Sequence, residues 1–570
     1  MSIKCFLKVA IFAFTFQLQS VSAGERLNYT LTISTQQDKA VQVEIILSFS
    51  GEKDGQTVIN LPNSWGGEEH LWTGISDLSI TGNGVRVELS EDPFQRVVRH
   101  QSGARLTLSY RVIQDWPGVP MATGRNSYRP VIQPEYVHLI GDTIFAIPEN
   151  FNESTVSIRI KTPETWVFAS DLEAEGLNVD ALRSSVMVAG DFRIESRPVD
   201  NAVLRVALRG DWDFTDAHFA DMVQRVVQAN HTYWGDPGED FLVTVLPLEA
   251  VPGSQSMGGT SRTDAFAFFA TANLDENTAI QILTHEHAHT WNPRRLGGGY
   301  DEDEEAAGYW FSEGFTDFLT QRIGVSAGLW TATDSLSRWN EVLSEYALSP
   351  ENTASNSKIR DGFWNNRDLN RLPYIRGMLF AAHAEYQIQS GSEGRINLND
   401  VMKAMRRNNN EIDAAPGSFV DQTLATTGID LKTDYEQFIL KGEVLRLAET
   451  AFGPCGSVIT SDQPVFDYGM TGHRNEEGKF VVDTVDMNSP AAPAGFKPGM
   501  VILKRLEGAV GDATVDSVLR VEFEDTVKDL RYLPTNGDMV TMQQIVPSEN
   551  ITNDACNKFL SGRSASNGED

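Results

Sequence analysis

Cysteine is nearly absent from this chain, with three among 570 residues, and histidine is sparse at ten. So few thiols exclude a small disulfide-scaffolded fold and a cysteine-built metal site. Basic residues are also short, 47 against 78 acidic ones, for a formal net charge of −31. Such a balance argues against nucleic acid or an anionic membrane as partner and favours solubility. There is no GxSxG nucleophile elbow, no P-loop and no dinucleotide fingerprint. What remains is ordinary globular material, 41% apolar and 22% charged. At roughly 100–200 residues per domain the length implies three or four domains.

The only long apolar run is N-terminal. "MSIKCFLKVAIFAFTFQLQSVSA" has two lysines, an apolar stretch from Val9 to Phe16, and small residues at Val21, Ser22 and Ala23. This is the layout of a secretory signal over residues 1–23, too short in its apolar part to span a bilayer. The mature protein is expected to be exported, periplasmic or secreted, with no stable membrane anchor. Loss of Lys4, Lys8 and Cys5 leaves 45 basic and 78 acidic residues, a net charge of −33. The remaining thiols, Cys455 and Cys556, flank a C-terminal module, and in an oxidising compartment a disulfide between them is favoured over two free thiols.

Periodicity divides the rest into an α+β multidomain chain. Residues 24–204 alternate with a period of two in "AVQVEIILSF", "ARLTLSYRVI" and "STVSIRIKT", and "LSITGNGVRVEL" places Asn-Gly between two such runs, so an all-β domain is expected. Residues 205–450 change character. Phe219, Met222, Val223, Val226 and Val227 share one helical face behind a Thr-Asp start, "FLVTVLPLEAV" and "DAFAFFA" read as strands, and helices dominate afterwards, with a helical half over about 325–450. A last module spans 455–549, followed by a polar tail, 550–570.

One helix carries chemistry. "LTHEHAHTWNPRR" follows "NLDENTAIQIL", with Asn273 or Asp275 as a cap, and predicts a helix over about 275–292. His285 and His289 are four residues apart, one turn, so both rings face one side and could hold one zinc ion. Glu286 stands one step round the helix, where a general base takes a proton from water at such an ion, while His287 points elsewhere. HExxH alone also fits a solvated polar helix. A catalytic zinc needs a third protein ligand and an open position. "GYWFSEGFTDFLT" offers Glu313, 24 residues after His289, among Phe311, Phe315 and Phe318, where an unpaired carboxylate would be costly. Asp317, one turn on, either fixes the tautomer of a zinc-bound histidine or is a surface aspartate. The acidic run in "GGGYDEDEEAAGYW" reads as a solvated turn rather than a calcium site.

"HEHAHTWNPRR", "WFSEGFTDF", "YRPVIQPEYVHLIGDTIFAIPE", "GGTSRTDAFAFF" and "LPYIRGMLF" together resemble the glycyl aminopeptidase family of gluzincin zinc metallopeptidases. "DTVDMNSPAAPAGFKPGMVI" resembles the PDZ domain that this family carries at its C-terminus. The resemblance implies an N-terminal β domain, a thermolysin-like zinc peptidase domain with a helical half, a C-terminal PDZ-like domain, and release of small N-terminal residues such as glycine and alanine from peptides. It also implies that Tyr374 donates a hydrogen bond to the oxyanion, whereas the residues alone suggest a packed aromatic beginning a helix after Pro373.

One departure stands out. Relatives read Gly-Gly-Leu-Glu-His before the zinc helix, with a glutamate able to hold the substrate's α-amine, but "GGTSRTD" has Ser261 there. Either Asp264 replaces it or the enzyme accepts blocked peptides as an endopeptidase. Gly258 and Gly259 could pair their backbone with an extended peptide. In the last module "FDYGMTG" could cradle a peptide C-terminus, which leaves open a non-catalytic PDZ peptide-binding protein, or the module is a structural appendage.

Overall fold

The computed structural model describes residues 26–562 apart from 37–39, 124–125, 174–175, 251–253, 297–303, 409–416, 476–477 and 550–553. The leader-like segment 1–23, the start of the acidic run and residues 563–570 lie outside the described residues.

The N-terminal part is all-β apart from single helical turns. In Arg26–Thr35 and Arg105–Val112 alternate side chains are buried, and these strands join Val41–Ser50, Ile75–Gly82 and Thr155–Lys161 in a five-stranded sheet. Leu27, Leu31, Ile45, Leu47 and Leu108 line its inner face against Ile59, Val98 and Ile147 of a second sheet. A third sheet, with Tyr136–Ile140 and Val186–Gly190 at its centre, packs through Val188, Val131 and Tyr136 against Ala207, Leu242 and Phe269 of the sheet that follows.

The boundary expected at residue 204 falls inside a strand. Ala202–Leu208 pairs in parallel with Phe241–Pro247 and antiparallel with Arg193–Val199, so both early strands belong to the sheet of the second part of the chain. Alternation alone does not say which sheet a strand joins. The sheet order is Arg193–Val199, Ala202–Leu208, Phe241–Pro247, Ala265–Ala270, Met257–Ser261. The last is an edge strand. Its glycine at 259 is required by packing, since a Cβ there would lie 2.4 Å from Phe266 Cζ and 2.5 Å from the Ala267 carbonyl oxygen. Two helices cover one face. Asp216–Trp234 starts on a Thr215 cap, and Glu276–Ala288, the histidine helix, starts on Asp275, whose carboxylate accepts from the Thr278 N–H. The histidine helix ends four residues sooner than the expected 292.

Beyond it lies a helical half. Glu305–Ser312 and Gly314–Ala327 (the glutamate helices) meet at Glu313, and Arg367–Ser392 (the tyrosine helix) crosses them. The crossing is close because glycine meets glycine: a Cβ on Gly377 would fall 1.9 Å from the Trp310 carbonyl oxygen, and one on Gly314 would fall 2.4 Å from Gly377 Cα. Ala332–Leu348 packs beside them, opened by a full capping box between Thr331 and Asp334.

The chain then runs out along a two-stranded ribbon, Gly456–Phe466 paired with Thr535–Pro547, to a five-stranded sheet spanning residues 470–532. That sheet has a small core of its own, with Val482, Phe496, Met500, Leu519 and Val521 buried. The ribbon docks on Ala332–Leu348, where the Asn340 side chain both donates to the Ile545 carbonyl and accepts from its N–H. The expected polar tail is in part a helix, Asp554–Leu560, because Cys556 and Leu560 are buried against the helical half and Cys556 is bonded to Cys455. Among the described residues no helix is long and apolar enough to cross a membrane.

Candidate metal centre and active site

The end of the histidine helix is tied down before any ion is considered. Asn292 is fully buried and donates to the Phe311 carbonyl and to Thr316 Oγ1, joining the turn after His289 to the glutamate helices. Trp291 donates its indole N–H to Asp236, which also receives Arg295 and Arg406. These ties place His285, His289 and Glu313 together.

Their reactive atoms form a small triangle. His285 Nε2 lies 3.1 Å from His289 Nε2 and 3.1 Å from Glu313 Oε2, and His289 Nε2 lies 3.3 Å from Glu313 Oε2. A tetrahedral ion with bonds of roughly 2.0–2.1 Å sets its ligand atoms about 3.3 Å apart, so the donor set fits zinc and leaves a fourth position open. Two imidazoles and a carboxylate are also a chemistry suited to zinc. The outer nitrogens are fixed as a metal site needs: His285 Nδ1 is 2.9 Å from Asp317 Oδ1, and His289 Nδ1 is 2.9 Å from the Asn292 carbonyl. Each Nδ1–H donates outward and each Nε2 faces the triangle. Among the described residues no other group of three His, Cys, Asp or Glu side chains meets this way.

Charges follow the geometry. Burial opposes an ionised Glu313, but His289 and His285 outweigh it and hold the carboxyl well below its ordinary range. Burial raises Glu286, partly offset by His285, His289 and the Ser261 amide, so this acid faces both the triangle and the edge strand. Burial also raises Tyr374, and Glu313, Tyr309, Glu286 and Asp317 push it further in the same direction, so the phenol stays protonated and able to donate. Its ring stacks on His285 with centroids 6.4 Å apart. Tyr374 lies in the second turn of its helix rather than at its start, because Pro373 is accommodated inside Arg367–Ser392. Glu313 sits at the break between Glu305–Ser312 and Gly314–Ala327. His287 turns away, buried against Phe241, Trp291 and His231.

The edge strand distinguishes its candidates. Arg262 N–H donates to the Ala265 carbonyl and Thr271 N–H to the Ser256 carbonyl. Ladder pairs alternate, so Gly258 and Thr260 bond inward while the backbone of Gly259 and Ser261 faces outward. Only Gly259 of the two glycines therefore presents polar backbone groups at the free edge, where its carbonyl accepts from Tyr128 OH at 3.1 Å. The Ser261 hydroxyl is spent on the Glu286 backbone carbonyl at 2.9 Å. Asp264 does not join the triangle: burial raises its carboxyl, and the charges acting on it are Glu239, Arg294, Arg295 and Asp240. In the C-terminal module the Gly469 N–H already donates to Asp467 Oδ1 at 2.7 Å, so the loop expected to cradle a peptide carboxylate holds one of its own.

Sequence reasoning left out Gly314 and Gly377, at which the two helices meet, and Tyr309, which acts electrostatically with both Glu313 and Tyr374. A lone glycine in a helical pattern gives no sign of which helix it will face.

Residues 28–186 match the peptidase M61 N-terminal domain, and residues 278–362 match the M61 glycyl aminopeptidase domain. No curated protein sequence matches the chain. Among solved structures it is similar to an aminopeptidase N family protein from Idiomarina loihiensis, at 16% identity and a TM-score of 0.67, over 94% of this chain and 100% of that one. It is also similar to an M1 zinc metallopeptidase from Deinococcus radiodurans bound to a Tyr-Ser-Ala substrate, at 15% identity and a TM-score of 0.50, over 74% of this chain and 95% of that one. At such identities the likeness concerns the fold, an N-terminal all-β domain followed by a helix-rich peptidase domain. Two segments of the chain are thus similar to the N-terminal and glycyl aminopeptidase domains of the peptidase M61 family, and its fold is like that of an aminopeptidase N family protein.

Proposed function

We propose that this protein is an exported zinc metallo-aminopeptidase of the gluzincin type that hydrolyses N-terminal residues, glycine and alanine foremost, from peptides. The observation that carries the reading is the His285–His289–Glu313 triangle, whose edges of 3.1–3.3 Å suit a single zinc ion. Bound there, zinc would polarise a scissile carbonyl and lower the pKa of water. The chain supplies the rest. Glu286 accepts the proton of the attacking water at its carboxylate and passes it to the leaving amine. Tyr374 donates its phenolic hydrogen to the oxyanion. Asp317 and the Asn292 carbonyl hold the two imidazoles in the tautomer that presents Nε2. The outward backbone of Gly259 orients an extended substrate beside the histidine helix. Export rests on the signal-like segment at the N-terminus.

A second reading, endopeptidase, is favoured by one observation. At position 261 the edge strand offers a hydroxyl already bonded to Glu286 rather than a carboxylate to hold an α-amine. Capture of peptide C-termini by the PDZ-like module, as an aid to either activity or as the function of a non-catalytic binding protein, gains nothing from the satisfied Gly469 amide.

One experiment tests the reading. Zinc-loaded protein and its Glu286→Gln variant are given alanine- and glycine-initiated peptides with free or acetylated N-termini, with products followed by mass. Single-residue release from free termini, lost in the variant while zinc stays bound, is the expected result. Internal cleavage of both forms selects the endopeptidase, and undiminished turnover by the variant overturns the assignment of Glu286.

A further inference from the structure

We propose that Arg371 is a substrate-binding residue that takes a peptide carboxylate near the scissile bond, either the C-terminal α-carboxylate or an acidic side chain. The inference deepens the peptidase reading above and rests on it.

Arg371 lies one turn before Tyr374 on the same helix, with its guanidinium carbon 5.5 Å from the centroid of the Tyr374 ring. That ring is in turn 6.4 Å from the ring of His285. The guanidinium therefore lies no farther from a candidate metal ligand than the sum of those two lengths, about 12 Å. An extended peptide advances roughly 3.3–3.6 Å per residue, so a carboxylate within about three residues of the bond being cut falls in reach.

The guanidinium is held rather than loose. Its Nε and Nη2 donate to the two oxygens of Glu345, at 2.9 and 3.3 Å, so a neighbouring helix sets the plane of the fork. Nη1 has no partner among the described residues, and the side chain is 33% exposed. A planar donor fixed through two of its nitrogens, with Nη1 unpaired and part of the side chain open to solvent, is the arrangement that recognises a carboxylate at low entropic cost. A purely structural tie between helices would need neither the opening nor the placement beside the oxyanion donor.

Two carboxylates of the chain act on the guanidinium, Asp317 and Glu345, and neither accepts from Nη1. Glu345 is consumed by Nε and Nη2, and Asp317 has one oxygen on His285 Nδ1. Arg338 adds a second cation acting on Asp317 from the adjacent helix. In a chain of net charge −31, which repels acidic peptides at long range, a positioned arginine beside the reaction site supplies a local exception.

The test measures binding, so it does not depend on turnover. In the zinc-loaded Glu286→Gln protein, calorimetry compares trialanine as free acid, trialanine amide, and Ala-Glu-Ala amide, each repeated with Arg371→Ala and Arg371→Lys added. A carboxylate-bearing peptide is expected to bind about tenfold tighter than trialanine amide. Arg371→Ala should bring that ratio near one, and Arg371→Lys, which keeps the charge but loses the fork, should leave it intermediate and serves if the alanine variant does not fold. Preference for the free acid alone assigns the α-carboxylate, and preference for the glutamate amide assigns a side chain. If neither binds tighter than the plain amide, or if the preference survives Arg371→Ala, the proposal is overturned. Should the preference depend on Arg371 while wild-type protein cleaves none of the three, the proposal stands and the peptidase reading is what fails.

Discussion

Removing the carboxylate of Asp317 should weaken zinc binding without touching a zinc ligand. Its Oδ1 lies 2.9 Å from His285 Nδ1, and the side chain is 23% exposed, so the bond is charge-assisted and largely shielded. Loss of such an outer partner costs roughly 10–100-fold in metal affinity, or about 1.4–2.7 kcal/mol. Asp317→Ala should approach the upper figure. Asp317→Asn, which keeps an oxygen acceptor, should stay near the lower. The assay is competition against a chromophoric chelator at several pH values. Asp317 acts on the metal-free state too: burial disfavours the His285 imidazolium, but Asp317 and Glu313 outweigh it and hold the proton. Zinc must displace that proton, so the difference between wild type and Asp317→Ala should narrow as pH falls. His289 serves as an internal reference, because its partner is a backbone carbonyl that no side-chain change removes. Affinities equal within twofold at every pH would refute the idea that Asp317 orients a metal ligand.

Three further outcomes are expected. Tyr374→Phe should lower kcat about 10²–10³-fold with zinc retained, by analogy with loss of an oxyanion donor; steady-state kinetics beside zinc content decide it, and an unchanged kcat removes the tyrosine from the mechanism. Replacing Cys455 and Cys556 together by serine opens a link between residues 101 apart, which on loop entropy is worth about 4–5 kcal/mol; a urea midpoint that barely moves would show that packing of the final helix suffices alone. Asp171 is pushed up to about 7, by burial first and against a bond from the Val186 N–H, so its protonated form favours folding fully below about pH 4 and that contribution is lost as pH rises through 7. Asp171→Asn should therefore gain on wild type across that window, by about 4 kcal/mol at most; parallel melting temperatures from pH 4 to 8 would refute it.

The site was legible in the sequence where chemistry is local. His285 and Glu286 lie on one helix and His289 caps its end, and Glu313 announced itself as an acid among phenylalanines, a setting that burial makes expensive. Strands were readable wherever one face meets a core, as in Arg26–Thr35. What was hidden depended on partners distant in the chain. Residues 193–208 alternate like the β domain before them, and only pairing with Phe241–Pro247 moves them to the catalytic sheet. The edge strand Met257–Ser261 carries two glycines and little β propensity; it exists because its neighbour offers a ladder and leaves no space for a Cβ at 259. The break at Glu313 and the position of Pro373 inside a helix come from packing at Gly314 and Gly377, which spacing does not encode.

The ribbon that carries the last sheet makes that sheet an insertion. Ser461 and Met542 are paired across it, and antiparallel partners have Cα atoms about 4.5–5.5 Å apart. A short turn joining those two positions would therefore delete everything between them without stretching the chain. The Asn340 clasp on Ile545, the Cys455–Cys556 link and the final helix all lie on the retained side of such a cut. The peptidase can thus be trimmed to a smaller core at a place its own geometry marks, and in the intact chain the outer sheet can be exchanged while the ribbon beneath it stays the same.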